Sequence, residues 1–285
     1  MSELPQLQPR SPDSHKGDYG RALLVGGSRG MSGAIALAGM AALRGGAGLV
    51  TVAVPEGIQQ TVAGYEPSYM TVALPEGNLG EVGPGAFGEL AARLEQTDCI
   101  GLGPGLGTGE PAGELVEQLY QQARCPLVVD ADAVNLLAGT CDDLEAAGPR
   151  IFTPHVGELR RLLRVDLQDR ETLEAAAIEW AASRQAVLVL KGHHSLVTDG
   201  ERSFHNTSGN AGMATGGSGD VLSGLLVALV CQGLSPLDAA RLAVYLHGLA
   251  GDLAAERMGQ QALIASDLVD FLGPAFQQYF QADVD

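Results

Sequence analysis

Short apolar runs alternate with longer amphipathic ones along almost all of this 285-residue chain, and that alternation restricts the fold more than any other feature. Strand-like runs lie at 22–25, 49–54, 70–74, 99–102, 127–129, 187–190 and 195–198. Several are apolar at successive positions, as strands covered on both faces should be. Helical patterns lie near 33–44, 87–96, 111–123, 134–138, 156–163, 171–183, 221–232, 236–257 and 267–272. Ser235-Pro236 supplies a hydroxyl cap and a first-turn proline. No linker-like, low-complexity or repeated segment divides the sequence. The pattern predicts one α/β domain over 1–285, a three-layer doubly wound sheet with helices on both faces. In such sheets ligands bind beyond the carboxyl ends of the strands, so the loop after each strand is where chemistry is sought.

The densest glycine run stands before the apolar stretch 221–230: Thr215-Gly216-Gly217-Ser218-Gly219-Asp220. Bare backbone N–H groups and the positive end of a helix meet there, which suits a phosphate. Asp220 falls in the first turn, where it either caps the helix or does chemistry. A tight turn needs only one or two glycines, so the density favours chemistry. No Gly-Lys-Ser/Thr follows and no tight strand precedes, so this is neither a P-loop nor a dinucleotide fingerprint.

Other strand-end loops are Gly26-Gly27-Ser28-Arg29-Gly30-Met31-Ser32-Gly33-Ala34 and Gly101-Leu102-Gly103-Pro104-Gly105-Leu106-Gly107. Each is either a packing device or backbone laid open to a ligand. Asp130 and Asp132 close the run 127–129. Asp132 is expected to cap the next helix, and Asp130 to reach a ligand or a metal-bound water. His155 and Glu158, three apart at a helix start, can share a face. Glu158 suits the helix dipole; His155 either stacks on a flat ligand or stands exposed. Lys191 offers a point charge to a phosphate. His193-His194 has no third ligand at metal spacing, which argues against zinc.

The formal charge of −17 argues against nucleic acid or an anionic membrane surface as partner, since both need clustered cations. Cys99, Cys125, Cys141 and Cys231 form no C-x-x-C pair, so neither a zinc site nor a disulfide framework is indicated, and reduced thiols suit the cytoplasm. Residues 1–20 lack an apolar signal-like core, and no run nears the ~18 apolar residues of a membrane span.

With these motifs in this order, the chain resembles the ADP-dependent NAD(P)H-hydrate dehydratase family of the ribokinase-like superfamily. The resemblance covers roughly residues 17–272. It rests on Gly26-Gly27-Ser28 with Gly33-Ala34, Gly101 to Gly105, Asp130-Ala131-Asp132-Ala133-Val134-Asn135, Thr153-Pro154-His155-Val156-Gly157-Glu158, Lys191-Gly192 and Asn210 to Asp220. Many relatives carry an N-terminal epimerase domain. About twenty residues precede the first motif here, so the epimerase is expected from a separate chain.

The resemblance implies a hydro-lyase that repairs the S-epimer of hydrated NADH or NADPH. ADP would be consumed, with ATP the alternative, and AMP and phosphate released. Lys191, Gly192, His193, His194, Ser195 and Gly219 would line the adenine nucleotide site. Ala34, Gly103, His155 and Asp220 would contact the hydrated dinucleotide. Mg²⁺ would bridge the phosphates through water, with Glu158 its outer partner. A homotetramer in the cytoplasm is the implied setting. Asp220 would accept the proton of the ring hydroxyl as that oxygen attacks the terminal phosphoryl group. A helix N-terminus lowers a carboxylate pKa, so Asp220 is expected to be a weak ground-state base that takes the proton late. Two rivals keep the fold: a kinase of a small vitamin-precursor alcohol, and a nucleotide sensor without turnover.

Overall fold

The computed structural model describes residues 4–282. Nine strands form one sheet: β1 (Arg21–Val25), β2 (Leu49–Pro55), β3 (Met70–Leu74), β4 (Cys99–Leu102), β5 (Leu127–Val129), β6 (Arg150–Phe152), β7 (Val187–Leu190), β8 (Leu196–Thr198) and β9 (Ser203–His205). Their order is β3-β2-β1-β4-β5-β6-β7-β8-β9. The pairs from β3 to β7 are parallel; β7–β8 and β8–β9 are antiparallel. The chain winds outward to β3, returns past β1, and then winds the other way. The doubly wound expectation holds, extended by an antiparallel tail.

Alternation along the strands divides the interior in two. Leu24, Val52, Val128 and Val189 face one core with helices α1 (Ser32–Arg44), α2 (Glu56–Tyr65), α8 (Ser218–Cys231), α9 (Pro236–Met258) and α10 (Ala265–Ala282). Leu23, Val25, Leu102, Val129 and Phe152 face the other. That core is closed by α3 (Ala86–Leu94), α4 (Glu110–Gln122), α5 (Ala131–Leu137), α6 (Val156–Leu163) and α7 (Arg170–Arg184). A parallel strand buried on both faces must be apolar throughout, which is why these runs stood out in the sequence.

Four elements differ from the sequence expectation. β6 opens on Arg150, an unusual start for a central strand. Its guanidinium is buried at the end of α4, where it donates to the carbonyls of Tyr120 and Ala123. β9 is a polar edge strand, and α2 buries only Ile58 and Val62. α10 runs through Pro274 rather than stopping at 272. Leu268, Leu272, Ala275 and Tyr279 are buried at helical spacing, and that burial outweighs the hydrogen bond a proline removes, about 3 kcal/mol. The N-terminal segment, without a role in the sequence reading, packs on α10: the Leu7 N–H donates to Tyr279 Oη at 2.9 Å, which donates to the Pro5 carbonyl at 2.7 Å.

Candidate active site

A cavity of about 700 Å³ opens beyond the carboxyl ends of β5, β6 and β7, under the N-terminus of α8. Asp130, His155, Lys191, Gly192, His193, Ser195, Gly219 and Asp220 all line it. The parallel ladder puts the loops after β6 and β7 side by side: the Lys191 N–H donates to the Pro154 carbonyl at 2.9 Å. Lys191 Nζ lies 2.6 Å from Asp130 Oδ1 and 3.8 Å from Glu158 Oε2. The other Asp130 oxygen accepts Ser223 Oγ from α8 at 2.7 Å. One buried ion pair thus joins β5, β7 and α8. Burial alone pushes the Lys191 ammonium down, but the charges of Asp130 and Glu158 more than reverse this and hold it above its ordinary value.

α8 begins after Gly217, whose φ of 93° is left-handed and favours glycine. The backbone N–H groups of Gly216, Gly217, Gly219 and Asp220 donate to no acceptor among the described residues. Four free donors at the positive end of a helix make an anion hole. A Cβ on Gly219 would sit 3.3 Å from Lys191 Nζ, a tight contact that would press on the ammonium. Asp220 departs from expectation. Burial, then the charge of Asp130, pushes its carboxyl up to about 7, against the opposing pull of Lys191. A helix end is worth about 0.3–1 kcal/mol, whereas roughly three pKa units correspond to about 4 kcal/mol, so desolvation wins. The Asp220 carboxyl is therefore poised near neutrality rather than held low.

His155 caps α6. Its Nδ1 accepts the N–H groups of Gly157 at 2.9 Å and Glu158 at 3.2 Å, while Glu158 Oε2 accepts the His155 N–H at 2.7 Å. That acceptor role assigns the ring proton to Nε2, 3.3 Å from Glu158 Oε1. Both Glu158 oxygens are thus engaged. Among the described residues no group of three His, Cys, Asp or Glu side chains could hold a metal ion. Glu158 caps the start of α6 and faces Lys191.

Three expected contacts lie off the cavity wall. His194 turns away, with its Nδ1 3.2 Å from the Asn206 carbonyl and its own carbonyl accepting Arg170 Nη2 at 3.1 Å. Gly103 and Ala34 stand at the crevice between β1 and β4. A Cβ on Gly103, at φ 120°, would fall 1.9 Å from the Asp130 carbonyl, and Ala34 packs on Gly105. Asp132 does not cap α5; its Oδ2 accepts the Gly107 N–H at 2.9 Å and ties down that loop. Sequence reasoning missed the wall made by Asn206, Ser208, Val244, His247 and Gly248. His247, on α9, meets the Ser218 carbonyl at 3.0 Å, and burial holds its ring down to about 4. A histidine between Leu246 and Gly248, within the apolar stretch of α9, was the available signal.

The family model described as NAD(P)H-hydrate dehydratase matches residues 22–273. The chain is 47% identical over 272 residues to the bifunctional NAD(P)H-hydrate repair enzyme Nnr of Moorella thermoacetica, covering 94% of this chain and 51% of that protein. It spans about half the length of the curated relatives it matches. The structure of the ADP/ATP-dependent NAD(P)H-hydrate dehydratase from Bacillus subtilis, co-crystallized with ATP/Mg²⁺, is 30% identical with a TM-score of 0.81, over 97% of this chain and 94% of that one. A ribokinase-like superfamily protein from Enterococcus faecalis is 29% identical with a TM-score of 0.82, over 96% and 92%. Among the described residues no helix is long and apolar enough to cross a membrane.

Proposed function

The chain belongs to the NAD(P)H-hydrate dehydratase family, and from that premise we propose that it restores hydrated NADH or NADPH at the expense of an adenine nucleotide, ADP in the first instance. The observation that carries this reading is Asp220: a carboxyl titrating near 7, in one cavity with Lys191 and the free backbone N–H groups of Gly217, Gly219 and Asp220 itself. A base and an anion hole at one point are what transfer of a phosphoryl group to a hydroxyl requires.

In this reading the ring hydroxyl of the S-epimer gives its proton to Asp220 as its oxygen attacks the terminal phosphorus. The bond to AMP breaks and AMP keeps the electron pair. The glycine N–H groups and Lys191 stabilise the negative charge on the oxygens in transfer. The phosphate ester then leaves with its electron pair, pushed by the ring nitrogen. Loss of a proton from the neighbouring carbon restores the ring double bond. Hydroxide is a poor leaving group and phosphate a good one, which is the reason to consume a nucleotide. Gly192, His193 and Ser195 hold the nucleotide side. His155 borders the dinucleotide, which extends toward Gly103 and Ala34 at the β1–β4 crevice. Mg²⁺ would come with the nucleotide phosphates and keep most of its waters, as this cation commonly does. The tetramer and the cytoplasmic setting rest on the resemblance alone.

The test is direct. Hydrated NADH mixed with the protein and ADP regains the absorbance of the reduced nicotinamide, with AMP and free phosphate formed in equal amounts; the same assay with ATP ranks the two nucleotides. No recovery, together with a stable phosphorylated small alcohol, would point to the kinase instead.

A further inference from the structure

Helix α9 presses against the loop that delivers the glycine run, and two glycines let it come close. A Cβ on Gly248 would sit 2.2 Å from Ser208 Oγ, and one on Gly251 2.3 Å from Met213 Sδ. Beside the second notch, Asp252 turns its carboxylate to the loop. Its Oδ2 accepts the Gly209 N–H at 2.8 Å, and its Oδ1 accepts Asn210 Nδ2 at 2.9 Å. Asn210 is thereby fixed with its own Oδ1 toward the next turn, where it accepts the Gly212 N–H at 3.0 Å and caps the short turn Ala211–Met213. One turn and a half earlier on α9, His247 holds the Ser218 carbonyl at 3.0 Å. One helix therefore grips this segment both before and inside the glycine run.

We propose that Asp252 is a positioning residue for phosphoryl transfer, which fixes the 209–213 turn and through it the aim of the N–H groups of Gly216, Gly217, Gly219 and Asp220. The inference rests on the dehydratase reading of the cavity. Asp252 does not line that cavity, so it acts through the loop. Two donors face it, and only a carboxylate offers two acceptors. An amide in its place would set one NH₂ group against that of Asn210. An anion hole works when its donors are fixed before charge develops. A loose loop must instead be ordered by the ligand at every turnover.

Wild type, Asp252→Asn and Asp252→Ala are compared for thermal midpoint, ADP affinity by calorimetry, and KM and kcat in the absorbance assay. Asp252→Ala is expected to bind ADP about tenfold more weakly and to lose about tenfold in kcat at saturating ADP while still folded at the assay temperature. Asp252→Asn, which keeps the Gly209 bond, recovers part of both. A purely structural role lowers the midpoint alone. Wild-type ADP affinity and kcat in folded Asp252→Ala overturn the proposal. If the alanine variant does not fold, wild-type values in Asp252→Asn do the same. Failure of the dehydratase reading shows separately, as wild type that binds ADP but regenerates no reduced nicotinamide; the calorimetric comparison then still decides the role of Asp252.

Discussion

Two glycine-rich regions look alike in the sequence and serve opposite ends in the fold. At the β1–β4 crevice the glycines let backbone meet backbone. A Cβ on Gly26 would fall 2.4 Å from the Pro104 carbonyl, and the Gly27 N–H already donates to that carbonyl at 2.8 Å. Gly103 is closed in more tightly still. Before α8 the N–H groups are what differ: those of Gly216 and Gly217 have no acceptor among the described residues, and a Cβ on Gly216 would meet nothing within 4 Å, although one on Gly217 would fall 2.6 Å from Leu37. Glycine density alone does not identify a ligand site. The separating feature is whether the exposed N–H groups are already used by the protein.

The comparison can be broken by substitution. The largest effect is expected at Asp220, where function and stability should part. Asp220→Asn should lower kcat on the order of 10³-fold. In the folded protein this carboxyl titrates about 7, above its unfolded value, so the folded state keeps a proton that the unfolded chain has released. The associated stabilisation is fully present below the unfolded value and is lost as pH rises through 7. The amide is neutral throughout, so Asp220→Asn should be more stable than wild type at pH 8, on the order of 2–4 kcal/mol in urea unfolding. A variant less stable at pH 8 would show that the carboxylate serves the fold. In the wild type, kcat/KM should rise with pH through about 7 as the base ionises.

Gly103→Ala comes next, and should lose about 3 kcal/mol of stability, with activity falling only in proportion to unfolding. Gly216→Ala is the smallest and most telling case: stability within about 0.5 kcal/mol of wild type, with the KM for ADP raised several-fold. A stable Gly103→Ala, or an unfolded Gly216→Ala, would erase the distinction between the two regions.

What the sequence disclosed follows the same division between local and distant causes. Central strands announced themselves because burial on both faces writes continuous apolar runs. β6 did not, because Arg150 answers to carbonyls at the end of α4, a partner no local pattern names. That Lys191, Asp220 and the end of the glycine run would gather at one cavity was legible, because the loops at the strand ends meet in such sheets. The basicity of Asp220 was not, since its causes are burial and the nearby Asp130, some ninety residues away along the chain. Asp252 was equally hidden: in an amphipathic helix, a carboxylate facing a loop reads like one facing water.

Among the described residues lining the cavity, Lys191 is the only lysine or arginine, and it already faces Asp130 and Glu158. On the proposed reading, a nucleotide would enter ground that is negative before it arrives. Its phosphates must bring compensating charge, either as cations travelling with them or as a proton retained on Asp220. On the proposed reading, affinity for the nucleotide would depend on acidity and ionic composition, with proton uptake accompanying binding near neutral pH. A single enclosed ammonium would then make the protein a reader of the state in which its ligand arrives, as well as of the ligand itself.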